Sequence, residues 1–134
     1  MTLRRVVVTG LGALTPIGND VMSFWDGLVS GKSGADYITY FDTSKFNTQF
    51  ACELKGYDPL NHFDRKEARK LDKFAQYALV CTEEAVKDSK LDIDSIDKTR
   101  VGVIWGSGIG GLETFQNEAT AYACLLYTSD AADE

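Results

Sequence analysis

The chain has 134 residues, 44% of them hydrophobic and 25% charged, the balance of a globular domain with a single core. Its formal charge of -6 and sequence pI near 4.7 argue against a nucleic-acid-binding module, so any basic patch has to be local. Cys52, Cys81 and Cys124 show no C-x-x-C spacing and His62 stands alone, which indicates neither a disulfide framework nor a metal site and fits a reducing cytosol.

Arg4 and Arg5 precede an apolar run, but Thr9, Gly10 and Gly12 interrupt it and no cleavage site follows. No stretch approaches a membrane span, and a cytoplasmic location is expected. Val6 to Val8 reads as a strand buried on both faces, leaving the core through the glycine turn T-G-L-G-A-L-T-P-I-G-N, residues 9–19. That turn fails as a nucleotide loop, because Thr15 and Pro16 stand where a third glycine and a donating helix are needed. Asn19 or Asp20 can cap a helix with Val21, Phe24, Trp25 and Leu28 on its core face and Gly31 as its stop. Residues 32–48 read as an irregular excursion with an extended piece at Tyr37 to Tyr40, Phe50 to Leu54 as a short strand, and Asp58-Pro59 as a turn.

Asp64 with Glu67 has the spacing of a capping box, and Leu71, Phe74, Ala75, Ala78, Thr82 and Ala85 keep helical spacing to about Asp88, predicting one long helix. Arg65, Lys66, Arg69, Lys70 and Lys73 fall on its opposite arc. A solvated charged face is the ordinary explanation of such a run. Here the cations crowd the predicted helix N-terminus, where the macrodipole disfavours them, and they gather more than a third of the 14 basic residues of an acidic chain. A site for an anionic partner, protein or phosphate, accounts for both features. Nucleic acid is disfavoured, since no aromatic residues interleave with the cations.

Leu91 to Thr99 reads as a loop or single turn leading into the strand Val101 to Trp105, and Leu112 and Phe115 begin a further helix. Between them Gly106, Gly108 and Gly111 spell G-x-G-x-x-G, the written form of a dinucleotide fingerprint. A nucleotide-dependent oxidoreductase would also need an acidic residue ending a strand roughly 20 residues on, and no such strand is legible. The last eleven residues, Cys124 to Glu134, continue no period and look like the translation of a transposon-end sequencing adaptor. The expectation is a natural segment over 1–123 and a non-native tail over 124–134, a genuine exposed tail being the alternative.

The segments RRVVVTGLGALTPIGN, FDTSKF, DRKEARKLDKFAQYA and VGVIWGSGIGGLETF, in this order and spacing, resemble the N-terminal part of β-ketoacyl-acyl carrier protein synthases, closest to the elongating long-chain type. The resemblance implies an α/β thiolase-like layered fold (αβαβα), present as an incomplete N-terminal portion, and a homodimer in the whole enzyme. It implies a decarboxylating condensation of malonyl-carrier protein with an acyl chain held on a cysteine thiolate, with backbone donors for the oxyanion and two histidines. In the family those groups lie beyond this chain, so no catalytic residue is expected here and the piece itself should be inactive and fold poorly, with unpaired strand edges. No cofactor or metal is implied, the substrates riding on the phosphopantetheine of an acidic acyl carrier protein. Arg65, Lys66, Arg69 and Lys70 match the family's carrier-docking residues. Gly108, Ile109 and Gly110 match its acyl-pocket wall, with Ile109 as a chain-length gate. A non-catalytic chain-length partner subunit of the same fold is the remaining alternative.

Overall fold

A computed structural model describes residues 5–125, with the side chains of residues 124 and 125 outside the description. The adaptor-like stretch therefore lies almost wholly outside the described residues.

Asp20 starts the first helix, α1 (Val21–Val29). Its carboxylate accepts from the Ser23 N–H, and the Ser23 hydroxyl accepts from the Asp20 N–H at 3.3 Å, a reciprocal cap. The Ser23 N–H, followed by its hydroxyl, holds the Asp20 carboxyl below the ordinary range. Gly31, at φ +67°, takes the left-handed conformation just past the helix end, as predicted. The core face of α1 is only half covered, because Trp25 and Leu28 remain exposed.

Two short strands follow, β1 (Asp36–Tyr37) and β2 (Phe50–Ala51), antiparallel with Asp36 opposite Ala51 and Tyr37 opposite Phe50. Lys55 pairs with Asp36 at 2.9 Å, and Glu53 accepts from the N–H and hydroxyl of Thr39. A single 3₁₀ turn at Pro59–Asn61 is capped by Asp58.

The predicted long helix is two helices, α2 (Arg65–Lys70) and α3 (Lys73–Ser89). Leu71 (φ -101°, ψ 125°) and Asp72 (ψ 151°) are extended between them. Asp64 caps α2 by accepting from Lys66 and Glu67 N–H at 2.8 Å each. A second 3₁₀ turn at Lys98–Arg100 precedes α4 (Leu112–Leu125).

Residues 10–13 run along α3 in close contact. A Cβ on Gly12 would overlap the Cys81 carbonyl, and one on Gly10 the Ala85 carbonyl. The two glycines are thus required for approach to α3, which the turn reading did not include. Freed from side chains there, the loop donates from Leu11 N–H to Asp88 Oδ2 (2.9 Å) and from Ala13 N–H to Glu84 Oε2 (2.8 Å). The other oxygen of Glu84 accepts from Val21 N–H (2.8 Å) at the start of α1, so one carboxylate ties loop, α1 and α3 together.

Val6 to Val8 and Val101 to Trp105 are not strands in the structure: the only described sheet is the β1–β2 pair. Val6 is 91% and Ile104 99% exposed. The sequence reading of both as buried strands is corrected on a physical ground: a run apolar on both faces forms a strand only against neighbours, and none pairs with it among the described residues. The expectation of uncovered apolar edges agrees with this. Burial is thin throughout, with Gly27, Gln76 and Val80 the buried positions among the described residues.

Candidate functional site

The site is built at the break between α2 and α3. Gln76, 5% exposed on the first turn of α3, donates from its amide nitrogen to the carbonyls of Ala68 and Leu71, both at 2.9 Å. Tyr57 donates its hydroxyl to Gln76 Oε1 at 3.0 Å. Two main-chain acceptors on one side and a hydroxyl donor on the other fix the amide orientation and satisfy the buried group. The carbonyls that α2 would otherwise leave unpaired at its end are taken up by this side chain.

Asp72, which could have capped α3, makes no side-chain bond to that helix and accepts instead from the Thr114 hydroxyl on α4. Lys73 reaches the same turn, pairing with Glu113 Oε2 at 2.8 Å while its ammonium lies 4.4 Å from the ring centroid of Tyr40. Gly111, at φ +67°, approaches the Asp72 carboxylate closely enough that a Cβ would lie 2.9 Å from Oδ2. Gly110 lies over the Phe74 ring, where a Cβ would come within 3.0 Å. These contacts fold the glycine loop back onto the α2–α3 break and enclose a groove of about 560 Å³. Arg69, Lys70, Leu71 and Phe74 line one side and Ile109 and Leu112 the other.

The structure thus joins two of the predicted docking residues, Arg69 and Lys70, to the predicted pocket residue Ile109, some 40 positions away in sequence. Gly108 stands in open space outside the groove lining, and Gly110 supports the loop through Phe74. Arg65 and Lys66 are exposed on the first turn of α2, continuing the basic surface away from the groove.

Two parts of the anion-site argument change. Lys73 is already paired and belongs to α3, so it leaves the cation cluster. Arg69 and Lys70 lie in the last turn of a six-residue helix, where the dipole favours cations. What remains is the absence of partners: the ion pairs among the described residues are Lys55–Asp36, Lys73–Glu113 and Lys98–Asp94, and none involves Arg65, Lys66, Arg69 or Lys70.

Burial, with Tyr40 second, pushes the Tyr77 hydroxyl up to about 12, so it stays protonated beside the groove. Burial likewise raises the Cys81 thiol, with Glu84 adding to it, the opposite of what a thiolate nucleophile needs. His62 stacks on Tyr57 at 5.8 Å and does not line the groove. No group of three or more His, Cys, Asp or Glu among the described residues has metal-binding geometry, and no described helix is long and apolar enough to cross a membrane. As a phosphate cradle the glycine loop is unsuited, because Asp72 and Glu113 place carboxylates at the start of α4 where a pyrophosphate would have to sit.

Gln76 is the residue that sequence reasoning missed. At about 100° per residue it lies off the arc of Leu71, Phe74, Ala75 and Ala78 and on the side of Lys73, so the predicted core face gave no signal for it.

The described residues form a mixed piece of helices and one small sheet, with a cationic short helix beside a groove of polar and apolar lining, and solved ketosynthases superpose on it. The chain superposes with a TM-score of 0.70 over 89% of its length on a structure described as a type II PKS acyl-carrier protein in complex with its ketosynthase bound to the hexaketide, at 29% identity and covering 31% of that chain. On the ishigamide ketosynthase/chain length factor the TM-score is 0.60 over 69% of this chain and 23% of that one, at 36% identity. The family model of the beta-ketoacyl synthase N-terminal domain matches residues 3–130, and the chain belongs to that family. It is 51% identical over 113 residues to 3-oxoacyl-[acyl-carrier-protein] synthase 2 of Staphylococcus aureus, and 43% identical over 117 residues to the protein of that name from Synechocystis. These alignments take in 84% and 87% of this chain and 27% and 28% of the relatives, so the chain spans about a quarter of their length. Family membership and the two carboxylates at α4 together overturn the nucleotide-dependent oxidoreductase reading.

Proposed function

We propose that this chain supplies the carrier-docking surface and part of the acyl pocket of a cytoplasmic, homodimeric 3-oxoacyl-[acyl carrier protein] synthase of fatty acid biosynthesis. The observation that carries the reading is the continuity of the α2 cations, which no described carboxylate pairs, with the groove lined by Ile109. An acidic carrier protein seated on Arg65, Lys66, Arg69 and Lys70 would deliver a thioester at the end of its phosphopantetheine arm, and steering by complementary charge suits such a brief encounter. The acyl chain passes from the carrier thioester to a cysteine, releasing the carrier's thiol; malonyl-carrier protein loses carbon dioxide, and its carbanion attacks the cysteine thioester, forming the new carbon–carbon bond and expelling the cysteine thiolate. In this reaction the described residues bind and orient, and no resident cofactor is required. The carrier-protein complex named among the structural neighbours and the names of the Staphylococcus aureus and Synechocystis relatives favour a catalytic synthase over a chain-length partner subunit.

Ile109 is 75% exposed at the groove and free to contact a ligand. Joined to the remaining three quarters of the Staphylococcus aureus relative, the chain carrying Ile109→Phe should lose roughly tenfold in kcat/KM for the longest accepted acyl substrates and keep it for short ones. Product chain lengths resolved by mass spectrometry check this. An unaltered profile would remove Ile109 from the pocket wall.

A further inference from the structure

We propose that Gln76 is a positioning residue for the basic helix: its side-chain amide ends α2 and sets the direction in which Arg65, Lys66, Arg69 and Lys70 are presented. The proposal rests on the docking role of those cations and adds to it the residue that holds them in place.

Gln76 is the buried polar side chain of the described core, and its hydrogen bonds all leave its own helix. Two run to carbonyls of the α2 end, Ala68 O and Leu71 O, and one comes from Tyr57. Helix α2 has few other ties. It is six residues long, below the length at which a helix holds itself in water, and all four cations are exposed. Its first turn is held by Asp64 and its neighbouring 3₁₀ turn, its last turn by Gln76. If α2 continued into α3, the carbonyls of Ala68 and Leu71 would be taken by main-chain N–H groups and the cations would follow the axis of α3. The amide replaces those donors and lets the chain turn at Leu71 and Asp72. The same break frees Asp72 and Lys73 to hold Thr114 and Glu113, so the residue that aims the docking helix also places the groove beside it.

Gln76→Glu is the discriminating substitution. It keeps the size of the side chain but turns an oxygen toward two carbonyls that can only accept, while Tyr57 can still donate to the other oxygen. Tyr57→Phe is a milder companion that removes only the bond to Oε1. Hydrogen exchange would be followed in the chain completed by the Staphylococcus aureus C-terminal portion. Binding of the acyl carrier protein of that organism would be titrated in parallel.

Gln76→Glu should speed exchange at Ala68 to Leu71 about tenfold and weaken carrier binding several-fold, with amides at Val80 to Glu84 changing little. Tyr57→Phe should move both readouts in the same direction by less. Unchanged exchange in α2, or an equal acceleration along α2 and α3, would overturn the positioning role. Faster exchange in α2 with undiminished carrier binding would also overturn it, provided that Lys66→Glu does weaken binding. If Lys66→Glu has no effect on binding, the docking reading fails by itself, while the exchange result still decides whether Gln76 holds α2.

Discussion

Gly12→Ala should weaken the packing of loop 10–13 on α3 by about 3 kcal/mol. The added methyl would overlap the Cys81 carbonyl, and a main-chain atom inside a helix cannot swing aside as a side chain can. Loop 10–13 would have to lift from α3, taking with it the bonds of Leu11 and Ala13 to Asp88 and Glu84. Gly106→Ala provides the internal comparison, since nothing lies within 4 Å of its Cβ position. It should fall within about 0.5 kcal/mol of the parent. Urea unfolding of the three proteins measures the difference. Coincident midpoints for Gly12→Ala and the parent would show that the loop does not pack on α3 as described.

Glu84→Ala should be nearly as costly, about 2–3 kcal/mol, because two part-buried N–H groups lose their acceptor together. Glu84→Gln keeps one acceptor oxygen and should lose about half as much. Glu83, one residue before it, is exposed, and Glu83→Ala should be close to neutral. A scan in which Glu83→Ala and Glu84→Ala unfold at the same urea concentration would deny Glu84 its place as the tie between the loop, α1 and α3.

Local chemistry made part of this legible in advance. The Asp20 cap, the Gly31 stop and the Asp58-Pro59 turn depend on neighbours a few residues away, and each stands where its residue types predict. The break at Leu71 and Asp72 was not legible, because the apolar spacing runs through it without glycine or proline. What interrupts the helix comes from other elements, Tyr57 through Gln76 and Thr114 through Asp72. The meeting of Ile109 with Arg69 and Lys70 was equally hidden, since no periodicity relates residues so far apart. For Val6 to Val8 and Val101 to Trp105 the composition signals strands, and what the described residues lack is a partner for them. Gly10 and Gly12 were visible as glycines, but their reason, the nearness of α3, was not.

Kinetics of the charge-reversed pair tests the central claim most directly. With the chain joined to the C-terminal portion of the Staphylococcus aureus relative, Lys66→Glu with Arg69→Glu should raise KM for an acyl-carrier protein about tenfold or more. Turnover of a small acyl thioester, which does not use the docking surface, should stay within about twofold of the parent. An equal loss on both substrates would contradict the assignment of α2 as the carrier-docking helix.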